Sequence, residues 1–292
     1  MDDLQVIPVD DTTAADWTRR IQTGPASCSR TIPYGMHRGM TSTLLIAAAW
    51  MLYTTGVHAL IGGRLVAGPL RSAALAPFPQ ATLLVVWHGV TWLFLTITGA
   101  LALGALHPGL RVLAPFAALQ LVGFTAIFLV VARRLLGSSI RLPQWFLLGP
   151  LAIVAASTLA ARSNAVAAAA ILAAMGAVHA GWAAGLSWPA RDPEELALHV
   201  IGLHRMPSRS ACALVALTLG AFAGILLVER TDGSVMVARV AIVAVFAARG
   251  VLGLVETRLR PVILGKPYAT YSRLLYSPLC LLIAALAAGG MR

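Results

Sequence analysis

Seven residues in long apolar surroundings are the ones whose types could do chemistry: His58, His88 and His179, with Arg249, Trp87, Trp182 and Tyr276. An imidazole can serve as acid, base or metal ligand, and a guanidinium can hold a carboxylate or a phosphate. Tryptophans beside them can wall an apolar ligand. Ionisable side chains inside apolar segments are costly and point to a site by default. The three histidines are therefore the candidate catalytic groups, and Arg249, Trp87, Trp182 and Tyr276 are the candidate substrate-binding ones. Each also has a structural reading. A histidine near a helix end can bond a neighbouring carbonyl, tryptophans belong in interfacial belts, and Arg249 can reach head groups or pair with Glu256 two turns on.

The elements that must position these groups are membrane helices. Of 292 residues, 59% are hydrophobic and 11% charged, about half the charge of a soluble domain. Apolar segments are read at 41–63, 81–106, 110–132, 143–161, 164–187, 210–228, 235–254 and 274–289. Each is close to the ~20 residues that cross a hydrocarbon core. In lipid every backbone group must be satisfied internally, which selects helices for segments of this length. The fold class expected is all-α: a polytopic integral membrane protein with about eight transmembrane helices.

Odd-numbered segments end where even-numbered ones begin. This brings His58, His88, His179, Arg249 and Tyr276 toward one membrane face, and a shared cavity there is the expected site. The halves also match one another in order. GVHALIGG at the end of segment 1 resembles AVHAGWAAG in segment 5, VVARRLLG in segment 3 resembles FAARGVLG in segment 7, and Pro150 pairs with Pro278. Two parallel four-helix repeats follow, 41–162 and 163–292, behind a polar tail at 1–40 that is expected to be disordered. The tail begins with Asp2 and Asp3, so it is not a signal peptide, and Met36 or Met40 is an alternative start.

The chain from Ala167 onward resembles a family of small bacterial four-helix membrane proteins catalogued only as a domain of unknown function. VHAGWAAGLSWP (178–189), VFAARG (245–250) and RLLYSPLCLL (273–282) carry that resemblance. It implies a four-helix fold and a bacterial inner-membrane location, and no catalytic residue. The first half reads as a diverged copy, with Trp87 and His88 in its second helix and no YSPLC.

The formal charge of +11 sits singly or in pairs between apolar runs, which suits membrane topology and anionic lipid and excludes a nucleic-acid face. Arg64, Arg134, Arg191 and Arg258 fall in the richer set of loops, which places those loops in the cytoplasm and both termini outside. Arg19, Arg20, Arg30 and Arg38 pull the other way. Asp192-Pro-Glu-Glu is read as a solvated loop start. Three cysteines without CxxC spacing imply neither a disulfide framework nor a metal site.

The best functional reading is a membrane enzyme or binding protein whose partners are the bilayer and a lipophilic small molecule. A haem-binding electron carrier is the alternative, with His58 and His88, or His179 and either, as axial pairs. A transporter or a structural subunit is the other, although carboxylates for cation coupling are missing from the segments. Whether the protein is an enzyme, any cofactor and the oligomeric state stay open at this level.

Overall fold

The structure, a computed structural model, describes residues 34–160, 162–229 and 232–291, with side chains from residue 39 onward. Residues 1–33, most of the expected tail, lie outside the described residues. Helix α1 (Tyr34–Gly56) already begins seven residues before the expected start of the membrane region. It continues as a π-helical stretch, π1 (Val57–Ala67), and ends in α2 (Gly68–Ser72). Then come α3 (Pro77–Leu106), α4 (Leu113–Leu136), α5 (Gln144–Ser157) and α6 (Ser163–Ala183). After these follow α7 (Pro193–Val200), α8 (Arg209–Leu227), α9 (Gly233–Leu259), α10 (Pro267–Tyr271), a second π-helical stretch π2 (Ser272–Tyr276), and α11 (Ser277–Gly289). The described residues contain no strand.

Seven of these helical runs are long and apolar enough to cross a membrane. The exception is α5, with 14 residues and Pro150 inside it. At about 1.5 Å per residue it is roughly 21 Å long, short of a hydrocarbon core of about 30 Å. The sequence reading ran this segment to 161. Its last carbonyls are instead closed off by hydroxyls, Ser157 Oγ donating to Val154 O at 2.7 Å and Thr158 Oγ1 to Ala155 O at 2.7 Å. Even so, the two ends of α5 lead to different junctions. The α4–α5 loop sits with the α6–α7 loop, Ser139 N–H donating to Pro189 O at 2.9 Å, while α6 begins against the start of α1.

That second junction is polar and buried. Asn164 Oδ1 accepts from Thr43 Oγ1 at 2.6 Å, and Asn164 Nδ2 donates to Ser42 Oγ at 2.7 Å. Gly289, near the end of α11, comes so close that a Cβ there would stand 2.5 Å from Asn164 Nδ2. So α1 and α6 start, and α11 ends, at the same face.

Small residues set the tightest packing. In α6 the run of alanines and Gly176 lets α8 approach until Ala216 O would lie 3.3 Å from an added Cβ. Between α9 and α11, a Cβ on Gly250 would meet Leu281 Cδ2 at 2.7 Å and Ser277 O at 3.1 Å. The 19-residue α8 has its terminal carbonyls capped by two arginines: Arg162 donates to Leu226 O and Leu227 O, and buried Arg239 to Val228 O. Leucines such as Leu44, Leu121, Leu148 and Leu172 fill the core, whereas Leu60, Phe78, Trp92 and Leu217 are exposed on the outside. An apolar exterior over an apolar core is what a lipid solvent asks for.

Candidate functional site

A cavity of ≈ 540 Å³ lies among α4, α5, α6, α8, α9 and α11. Its walls are apolar: Leu129, Ile153, Ile171, Met175, Leu219, Phe246 and Leu279 among others. The kinked α5 contributes Gly149 and Pro150, so the short helix is also the one whose missing side chain and broken ladder make room. Volume and lining are those of a site for a small apolar molecule.

Of the residues singled out from sequence, His179, Trp182, Arg249 and Tyr276 line this cavity. His58, Trp87 and His88 do not. His58 stacks on Trp87 with ring centroids 4.1 Å apart and meets Phe94 edge-on, and its Nε2 is buried without a partner among the described residues. Gly62 makes that nest possible, since a Cβ there would stand 2.8 Å from the Trp87 ring. His88 points outward, exposed on α3. The expected meeting of the three histidines is not formed: α3 turns His88 outward, and His58 of π1 stacks on Trp87 of α3.

Most donors in the cavity wall are already spent on backbone carbonyls. Trp145 Nε1 donates to Ser139 O at 2.9 Å, Trp182 Nε1 to Trp188 O at 2.7 Å, Tyr271 OH to Ile140 O at 2.6 Å and Tyr276 OH to His199 O at 3.0 Å. Thr125 Oγ1 donates to Leu121 O at 2.7 Å. His179 Nδ1 lies 2.8 Å from Met175 O. Arg249 is held at one edge, Nη2 donating to Tyr268 OH at 3.2 Å and lying 3.7 Å from Glu256 Oε2. Glu256 also accepts from Tyr268 OH at 2.7 Å, Ser272 Oγ at 3.0 Å and Arg260 Nη1 at 2.8 Å. The pairing of Arg249 with Glu256 is thus present, as one arm of a larger network. Gly253 makes the room for it, the space of its absent Cβ being occupied by Ser277 Oγ and Arg249 Nη1.

The Asp-Pro-Glu-Glu stretch is solvated at Asp192 and Glu194, as a loop start would be, but it opens a helix and buries Glu195. Asp192 caps α7, accepting from Glu195 N–H at 2.8 Å, with Pro193 in the first turn. Glu195 is 7% exposed, accepting from Arg141 Nε at 2.5 Å and from Arg191 N–H at 2.8 Å. Burial alone would raise this carboxyl, but the Arg191 N–H and the Arg141 guanidinium outweigh it and hold it below the usual range. Lys266 Nζ donates to Gly202 O at 2.8 Å and fastens the far end of the same segment. Together α7 and its flanks, including Trp188, cis-linked Pro189 and Val200, close one end of the cavity. A spacing of D-P-x-E with an arginine at the preceding helix hairpin is a capping signature followed by a buried acid, and it could have flagged this lid.

The fold and this cavity define an integral membrane protein of helical, multi-pass build with an apolar chamber lined from both halves of the chain. Residues 172–287, from the middle of α6 nearly to the end of α11, match the family described as "Protein of unknown function (DUF3995)". No curated protein and no solved structure matches the chain.

Proposed function

We propose that the chamber binds a lipophilic small molecule, as a membrane receptor or enzyme site, with His179, Arg249, Trp182 and Tyr276 as its polar and aromatic contacts. The apolar cavity of ≈ 540 Å³ carries this reading. Of the cavity-lining residues only His179 is a histidine, which gives a haem no second imidazole there and favours a ligand site over the electron-carrier alternative. The test is a thermal shift of the purified protein in detergent against pools of lipids, quinones and isoprenoids. A ligand at about 100 times its Kd stabilises by about 2.7 kcal/mol, or roughly 5–10 °C for a chain of this size. Ala174→Phe, which fills the chamber from α6, removes the shift; no shift from any pool in the wild type overturns the reading.

The same proposal extends to architecture. With α5 crossing as a short, kinked span, there are eight passages in two parallel repeats, 41–162 and 163–292, behind the tail. The packed hairpins α4–α5 and α9–α11 support the pairing, and so do the prolines at the middle of α5 and the start of α11. The close α6–α8 packing has a looser counterpart in the first half, where α3 meets π1. The family resemblance supports a bacterial inner membrane as the location.

A further inference from the structure

The hydrogen-bond state of the chamber specifies the head of its ligand. Met175 O can only accept, so the proton of neutral His179 sits on Nδ1, facing its own helix one turn back. The distal Nε2 is left as a bare acceptor with no partner among the described residues, on a side chain that lines the chamber. Elsewhere in the chamber wall, the indole N–H groups of Trp145 and Trp182 and the hydroxyl protons of Tyr271, Tyr276 and Thr125 are committed to backbone carbonyls. None of those groups can turn a proton toward Nε2 without giving up a bond in a medium where water does not replace it.

From this we infer that the chamber selects a lipophilic alcohol or phenol whose hydroxyl donates to His179 Nε2. The inference rests on the reading of the chamber as a ligand site and sharpens it. A methyl ether of the same body offers Nε2 no proton. A carboxylate sets lone pair against lone pair. Chemically, an acceptor nitrogen on a fixed tautomer is what a hydroxyl needs in order to be held, or to be deprotonated.

Geranylgeraniol, its methyl ether and the parent hydrocarbon are suitable probes, titrated into the full-length protein in detergent micelles. Binding is read by the thermal midpoint and by quenching of the tryptophans at the chamber, Trp145, Trp182 and Trp188. The wild type is expected to bind the alcohol about tenfold more tightly than the ether, the size of one buried acceptor left unpaired. His179→Phe keeps the aromatic volume and is expected to bind both equally. His179→Gln, whose amide oxygen can occupy the Nε2 position, is expected to restore the preference. Equal affinity of alcohol and ether in the wild type, with both binding, overturns this inference and leaves the chamber reading standing. Failure of the alcohol where another member of the lipid, quinone and isoprenoid pools shifts the midpoint also overturns this inference alone, and failure of every pool overturns both.

Discussion

Replacing Glu195 by glutamine tests whether the buried acid holds the lid. The carboxylate is 7% exposed and takes two donors, Arg141 Nε at 2.5 Å and Arg191 N–H at 2.8 Å. Glutamine retains an oxygen for the Arg191 N–H and loses the charge that draws Arg141. A hydrogen bond to a charged group contributes about 1.5–3 kcal/mol. Because the Arg141 side chain is 46% exposed, solvent screening lowers this to about 1–2 kcal/mol. The lid population that opens then rises about tenfold. Amide hydrogen exchange of residues 193–200 reads this directly, with α6 as the internal reference. Glu194→Gln is the control, since Glu194 is 66% exposed and meets only His204. The pH dependence has a definite sign. A carboxyl held below its ordinary value of 4.5 stabilises the closed lid fully above that pH, and the contribution is lost as pH falls through the lower, folded value. Wild-type exchange, corrected for intrinsic rate, therefore accelerates below pH 4.5, and the Glu195→Gln protein lacks that step. Wild-type protection in Glu195→Gln at neutral pH, or an acid step that survives the substitution, refutes the reasoning.

Asn164→Ala removes two interhelical bonds, to Ser42 and Thr43, and should cost about 1–3 kcal/mol at the roughly 0.6–1.7 kcal/mol typical of such bonds in membranes; a lowered thermal midpoint in detergent checks it. Gly250→Ala forces a Cβ to 3.1 Å from Ser277 O on the facing helix and should destabilise by about 1–3 kcal/mol, whereas Gly220→Ala, with open space around it, should be neutral or slightly stabilising. Single cysteines placed beside Arg64, Arg134, Arg191 and Arg258 should resist impermeant thiol reagents added to intact cells, and efficient labelling reverses the orientation.

The helical membrane class was legible because hydrocarbon imposes one length and one polarity on every crossing segment. Helix ends were less so. Segment 143–161 looked continuous by composition, yet Ser157 and Thr158 turn their hydroxyls back and stop α5. The first helix ran on past Gly63 to Ser72, because the glycines of GVHALIGG loosen the helix into π1 without ending it. For the site, chain direction brought His179, Arg249 and Tyr276 to one end, and that much is readable from segment parity. Rotation about the helix axis is not readable in a helix that is apolar all round, which is why His58 and His88 could not be separated from His179 beforehand. The lid acid Glu195 was hidden for a different reason: its partner Arg141 lies 54 residues away.

The polar ties of α1 run to residues that do not exist when it is made. Trp50 Nε1 donates to Leu147 O, 97 residues on, Thr43 to Asn164, 121 residues on, and Tyr53 OH to Leu274 O, 221 residues on. At about 5–20 residues per second, roughly 10–45 s separate the synthesis of Tyr53 from that of its acceptor. During that interval an indole N–H and a phenol wait in lipid, in the care of head groups or of the insertion machinery. The helix that is translated first among those described is therefore among the last to be docked, and a truncated nascent chain ending before α11 should leave α1 extractable from the half-built bundle.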